Sequence, residues 1–298
     1  MSDDPQWPRA AAWIETSTRQ WRATPQQPVD LALLGVPAHA TSISPTGAHG
    51  TPATIRAALK RYSTWVESAG IDLHSLRIVD LGDIHDPDGP EGEGRTVAAV
   101  RRIAKAPVLA LGGDNSLTFA VAVGARADGL ITLDAHHDLR DGQSNGSPVR
   151  RLIEAGLSGR RVVQIGINDF TNSPFYADRA REYGITVVHR DSLHRRPWGD
   201  VMAEALGIAG SGPNGRVHLD LDVDVCDRSV APACPASVPG GISAADLRAA
   251  ARLGASDPRV VSMDIAEVDA SADTRDQRTV RLAALCVLEI ATGVALRP

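Results

Sequence analysis

GLITLDAHHD, residues 129–138, decides the fold. Its first five residues are largely apolar on both faces of an extended chain, as in a parallel strand covered on both sides. The run then breaks into carboxylates and imidazoles. Side chains alternate along an extended chain, so Asp134, His136 and Asp138 fall on one side and His137 on the other. Ligand-type side chains crowded at the carboxyl end of a strand sit where open α/β sheets bind their ligands.

Working outward, similar Val, Ile and Leu-rich runs occupy 31–37, 77–83, 107–113, 161–167, 185–189, 216–223 and 260–266. Helix-compatible stretches at 52–67, 94–105, 243–253 and 278–294 lie between or after them, with Thr51-Pro52 and Ser243 placed as helix starts. This alternation predicts an α/β fold: three α/β/α layers around a mainly parallel sheet of about eight strands. The segment PDGPEGE, 87–93, reads as an exposed loop. Residues 1–29 are polar and lack strand signals, yet hold Trp7, Trp13 and Trp21. They are expected to form an N-terminal arm that packs on the domain or on a neighbouring subunit, with residues 30–298 as a single catalytic domain.

Composition narrows the function classes. At 298 residues, 43% hydrophobic and 22% charged, the chain can bury a large core, which excludes disorder and disulfide-stapled scaffolds. A formal charge of −5 gives no basic footprint for nucleic acid. Cys226, Cys234 and Cys286 form no CxxC pair, which points to reduced thiols and a cytoplasmic chain. Cys226 reads as a buried thiol rather than a nucleophile. The first residues are acidic, and no apolar run reaches the ~18 residues of a membrane span.

Other strand ends repeat the pattern. Run 107–113 enters Asp114-Asn115-Ser116, run 216–221 ends among Asp220, Asp222, Asp224 and Asp227, and run 260–266 meets Glu267 and Asp269. One imidazole among several carboxylates is a ligand set suited to Mn²⁺ rather than to a thiolate-bound metal. Without cations so many acids would repel and titrate upward, and two divalent ions would resolve the conflict. Singly, Asp83, Asp114 and Asp227 read as caps or turn formers. His39, His74, His85, His189, His194 and His218 read as surface or capping residues, and His49, in TGAHGTPATIR, could reach the sheet edge.

Together GGDNS (112–116), DAHHD (134–138), DLDVDVCD (220–227) with APACPASVPGG (231–241), and EV (267–268) resemble the ureohydrolase family of arginases, agmatinases and formimidoylglutamases, colinearly from about residue 30 to 295. The resemblance implies an arginase-like fold, two Mn²⁺ per subunit and hydrolysis of a guanidino or amidino C–N bond. It makes Asp134, His136, Asp138, Asp222 and Asp224 metal ligands, with Asp134 and Asp222 at the bridging positions. Glu267 matches the carboxylate that holds the amidinium group, and Asp138 would pass a proton to the leaving amine.

Two departures matter. Asn115 stands where the family usually has histidine, so as a ligand it would leave the first metal site weaker. The loop Ser144-Asn145-Gly146-Ser147-Pro148 lacks the histidine of arginases and agmatinases. That loop, with QIGINDFTNSPFYADRAREYGITV (164–187) and APACPASVPGG, resembles formimidoylglutamases. The branch implies cleavage of N-formimidoyl-L-glutamate to L-glutamate and formamide, with Asn145, Ser147, Arg150 and Asn168 as donors to the substrate carboxylates. The rivals are a urea-releasing amidinohydrolase, for which Asp169 and Asp178 could serve a cationic tail, and a non-catalytic subunit. The expected partner is a small amidine or guanidine, with no nucleic acid or membrane, and a symmetric homo-oligomer is expected.

Overall fold

The computed structural model describes residues 4, 6–103 and 105–298. Its strands are β1 Leu31–Val36, β2 Trp65–Val66, β3 Ile71–Asp72, β4 Ile78–Asp83, β5 Val108–Gly112, β6 Gly129–Leu133, β7 Val162–Ile167, β8 Thr186–His189, β9 Val217–Asp222 and β10 Val260–Ala266. Eight of them form one sheet in the order β4-β1-β5-β10-β9-β6-β7-β8. Every pairing in it is parallel. Strands β2 and β3 make a separate antiparallel ribbon.

The helices are α1 Ala10–Ala23, α2 Thr51–Ala58, α3 Gly89–Arg102, α4 Leu117–Gly124, α5 Pro148–Glu154, α6 Pro174–Tyr183, α7 Trp198–Ala209, α8 Ala244–Ser256 and α9 Arg278–Ala295. Strand alternation divides the core between two faces. Leu31 and Leu33 join Ile55, Val201, Leu247 and Val287 of α2, α7, α8 and α9. Leu34 and Val36 point the other way, to Val100 and Val121 of α3 and α4, and Leu130 and Val162 meet Val149 and Ala180 of α5 and α6. The expected three layers and eight parallel strands are therefore present.

Local differences have local causes. The stretch 52–67 is not one helix: α2 ends at Ala58, and after a single turn at Leu59–Arg61 the chain is extended at Tyr62 and enters β2. Aromatic and β-branched residues from Tyr62 to Val66 favour that extension. The segment 87–93 is only half a loop, because α3 begins at Gly89 with Pro90 in its first turn, where a missing N–H costs nothing. Residues 10–23 form α1, which lies along the edge strand β4. Trp13 is buried there and donates its indole N–H to Leu76 O at 3.3 Å, and Thr18 Oγ1 accepts the Asp80 N–H at 2.9 Å. Trp7 remains exposed.

Register brings the strand ends level: Leu133 lies beside Leu221 and Ala266 beside Asp222. The acids that follow these residues therefore meet at one edge. Among the described residues no helix is long and apolar enough to cross a membrane.

Candidate metal centre and active site

Asp134 is the first residue beyond β6, its N–H still bonded to Ile165 O at 3.0 Å. Asp222 ends β9 and caps a one-turn helix, Val223–Val225, by accepting the Asp224 N–H at 2.9 Å. That turn carries Asp224 back towards β6. His136 Nδ1 lies 3.0 Å from Asp224 Oδ2 and 3.4 Å from Asp134 Oδ1. Two donor groups result, Asp134/His136/Asp224 and Asp134/Asp138/Asp222, each with its ligand atoms within 4.8 Å of one another. Asp134 belongs to both.

The site fits a pair of cations on independent grounds. Asp134 Oδ2 is buried without a hydrogen-bond partner, an arrangement that costs several kcal/mol unless something positive meets it. Burial, then the Asp224 charge, pushes Asp134 up to about 6. Burial and neighbouring carboxylates hold Asp138 and Asp222 well above the ordinary carboxylate range. Burial works against a charged His136, but Asp224 and Asp134 outweigh it and raise the imidazole to about 12. A proton on His136 thus supplies positive charge that a metal would otherwise supply. Carboxylates with a borderline imidazole suit Mn²⁺.

Glu267 follows β10, its N–H held by Gly113 O at 2.9 Å. Its Oε1 accepts from the Asn115 N–H at 2.7 Å and from Asn145 Nδ2 at 2.8 Å. Burial, then the nearby Asp114 charge, raises it to about 8. Both Asp138 (φ 52°) and Glu267 (φ 63°) occupy the left-handed region, a strain of ~1–3 kcal/mol that concentrates at functional positions. Gly113 permits the close approach behind them: a Cβ there would lie 1.9 Å from Ala38 O.

His136, Asp138, Asp222, Asp224 and Glu267 floor a cavity of about 370 Å³ whose walls include Asn145, Tyr176 and the exposed Phe170. Of the residues read as substrate contacts, Asn145 and Glu267 line it, while Ser147, Arg150 and Asn168 do not. Ser147 Oγ bonds within its own turn, accepting from Ser144 N–H and donating to Ser144 O. The Arg150 guanidinium is consumed by Arg140 O, Gly142 O and Glu154. Asn168 engages Ala135 O through its backbone. Arg140 lines the cavity instead, the single cationic wall residue among those described apart from the imidazoles. Its signal in the sequence is a cation two residues beyond Asp138, on the loop that leaves the donor cluster.

Asn115 also departs from expectation. Its Oδ1 accepts from Thr118 Oγ1 at 2.7 Å, and its Nδ2 donates to Asp138 Oδ2 at 2.9 Å. These bonds make Asn115 a support that orients Asp138. His137 faces Gln164 Oε1 at 2.7 Å, away from the donors. His49 rests against the ring of His39, outside the cavity. His218, read as a surface or capping residue, is fully buried in β9 between Ser262 Oγ (2.8 Å) and Asp264 Oδ2 (3.0 Å), with Asp220 beside it. All three cysteines are buried and unpaired.

A pH effect follows. Asp134 (about 6 against 3.8) and Glu267 (about 8 against 4.5) hold protons more tightly folded than unfolded. Their groups leave stability intact below the unfolded values and erode it as pH rises through the folded ones. His136, raised to about 12, adds stability that declines from its ordinary 6.5 upward, in the same direction. Metal-free protein should therefore melt progressively lower between about pH 5 and pH 8, and added Mn²⁺ should raise the melting temperature more at pH 8 than at pH 5.5, since ions compete with protons for the site. Scanning calorimetry with chelator and with Mn²⁺ tests this; a flat metal-free profile would contradict the electrostatics.

Residues 29–293 match the arginase family. The chain is 35% identical over 281 residues to the formimidoylglutamase of Halalkalibacterium halodurans, covering 89% of this chain and 87% of that one. Its fold superposes on the crystal structure of the Bacillus subtilis formimidoylglutamase with a TM-score of 0.84 at 32% identity, covering 92% of this chain and 89% of that chain. It also superposes on Trypanosoma cruzi formiminoglutamase, crystallised with Mn²⁺, with a TM-score of 0.85 at 25% identity, covering 98% and 100%.

Proposed function

This chain belongs to the arginase family, and from that premise we propose that it hydrolyses the formimidoyl C–N bond of N-formimidoyl-L-glutamate, releasing L-glutamate and formamide. The observation that carries the reading is the charge arrangement of the cavity. Carboxylates crowd the floor, and the wall offers the guanidinium of Arg140. Asp169 and Asp178, the acids available for a cationic tail, are absent from the lining, and Asp178 is paired with Arg181 at 2.6 Å. Such a cavity suits a substrate with a cationic head and an anionic tail. Relatives and fold neighbours that carry the formimidoylglutamase name support the same assignment.

Asp134, His136, Asp138, Asp222 and Asp224 are the residues that would hold two Mn²⁺ ions. When bound, such ions would acidify water to supply a hydrolytic nucleophile at neutral pH and would neutralise the clustered carboxylates. The chain's own groups do the rest. Glu267, steadied by Asn145 and the Asn115 N–H, accepts the N–H of the protonated formimidoyl group and keeps its carbon electrophilic. Water adds to that carbon. Asp138, oriented by the Asn115 amide, takes a proton from the adding water and delivers it to the glutamate nitrogen. The C–N bond then breaks, leaving formamide and the free amine of glutamate. Arg140 pairs with a substrate carboxylate and sets how deep the head group reaches. The buried, unpaired cysteines are consistent with the cytoplasm as its location.

Parallel assays test the assignment: formamide from N-formimidoyl-L-glutamate against urea from arginine, agmatine and 4-guanidinobutyrate. Formamide release near ~10⁴ M⁻¹s⁻¹ or faster with little urea is expected; urea as the main product would overturn it. Loss of a charge-assisted pair costs ~1.5–3 kcal/mol. Arg140→Ala should therefore raise KM ~10-fold or more with kcat within about threefold, and Arg140→Lys should recover part of the loss. An unchanged KM would remove Arg140 from the substrate site.

A further inference from the structure

At the opposite, amino edge of the sheet, where β5, β9 and β10 begin, lies a second cavity, of about 570 Å³. Arg101, Lys105, Arg126, Arg216 and Arg297 line it, and among the described residues no carboxylate does. Two of these cations are tied down by carbonyls alone: Arg216 donates to Ala125 O, and Arg297 donates to Ala255 O at 2.9 Å and Val260 O at 2.8 Å. Carbonyls orient a guanidinium without cancelling its charge. Burial holds Arg297 below its ordinary pKa, the direction expected of a desolvated cation. The acids of neighbouring turns have their hydrogen bonds elsewhere: Asp128 accepts the N–H groups of Asn214 and Arg216, and Asp257, whose charge also favours the Arg297 cation, pairs with Arg259 at 2.7 Å. Arg101, Lys105 and Arg126 are exposed at the rim. Below them the walls are apolar, including Val100, Ile103 and Val261.

The C-termini of α3 and α4 reach this cavity, so part of the positive charge answers their carbonyl ends. Each helix end carries about half a charge, which leaves most of five cations unanswered. Arginine forks around a concavity without acids match a tetrahedral dianion. We infer that this cavity is an anion site, separate from the metal centre, that binds phosphate, either free or as the phosphomonoester of a small metabolite whose body rests on the apolar walls.

The chain has two lysines, Lys60 and Lys105, both exposed, and this supplies an internal control. Pyridoxal 5′-phosphate condenses with a lysine amine, losing water, and borohydride reduces the imine to a stable secondary amine. On the Mn²⁺-loaded enzyme, Lys105 should be labelled at least ~10-fold faster than Lys60, through local concentration of the dianion. Pyridoxal, which lacks the phosphate, should label the two alike. Inorganic phosphate should protect Lys105; stronger protection by AMP than by phosphate would identify an ester as the better ligand, and equal protection would identify phosphate itself. Arg126→Gly is a suitable variant, since Arg126 sits at φ 54°, where glycine is at ease. With Arg101→Ala it should bring the labelling ratio down to the pyridoxal value. Equal labelling of the two lysines by pyridoxal 5′-phosphate, or a preference that survives both substitutions, would overturn the site.

Discussion

Replacing Asp134 with asparagine should lower hydrolysis by at least ~10³-fold and, at the same time, stabilise the metal-free protein at pH 8. Both effects come from one side chain. Asp134 is common to the two donor groups, so its loss weakens both at once, and bound manganese should fall from two ions per chain to one or fewer. In metal-free protein the same carboxylate is a liability: it is fully buried, has an unpartnered oxygen and faces Asp222, Asp224 and Asp138. An amide removes the charge and can still accept the His136 N–H, now held at 2.6 Å. A gain of ~1 kcal/mol corresponds to ~2–4 °C in melting temperature for a domain of this class. It should vanish near pH 5, where Asp134, at about 6, is already protonated. Metal analysis and calorimetry give the two readouts. Retention of two manganese ions, or a metal-free protein that melts lower at pH 8, would contradict the role described for this residue.

Glu267→Gln should separate catalysis from metal binding. Glu267 is outside both donor groups, so manganese content should stay at the wild-type level. The glutamine oxygen can still accept from Asn115 N–H and Asn145 Nδ2, which preserves the local fold. What disappears is the negative charge that Glu267 carries when an amidinium cation faces it, a partner that favours the ionised carboxylate. Loss of such a preorganised partner costs ~10²–10³ in kcat. Steady-state kinetics on metal-loaded protein should show that drop in kcat, with a smaller change in KM. Activity within tenfold of wild type would mean that the amidinium is held by something else.

Much of this could be read from residue order. The period of two in DAHHD separates His137 from the other three polar residues, and the structure turns His137 to Gln164. Repetition of apolar runs with helical stretches between them was enough for the layers and the approximate strand count. Residues whose roles depend on distant partners were less legible. His218 looks isolated along the chain, but β9 and β10 lie in register, placing it beside Ser262, and Asp264 completes its bonding. Asn115, read as a weak ligand, has Thr118 on its oxygen and Asp138 on its N–H, bonds that residue order alone does not reveal. Arg140 and Arg150 are the same residue type, one on the loop after Asp138 and one on α5, which follows it. Only closure of that loop, with Arg150 bonded to the carbonyls of Arg140 and Gly142, turns one inward and leaves the other at the cavity wall.

The groups assigned to metal and those assigned to the substrate tail have different addresses. The former stand at strand ends or within a few residues of them, in positions fixed by the hydrogen-bonded sheet, whereas Arg140 rides on the stretch between Asp138 and α5, beside Asn145, which steadies Glu267. That stretch closes on itself through the Arg140 N–H to Gly146 O bond at 2.9 Å, with Arg150 as its clasp. It is in effect an exchangeable cassette. A transplanted loop of similar span that keeps the Asn145 amide could give the same hydrolytic machinery a new diet while its inorganic chemistry stays constant.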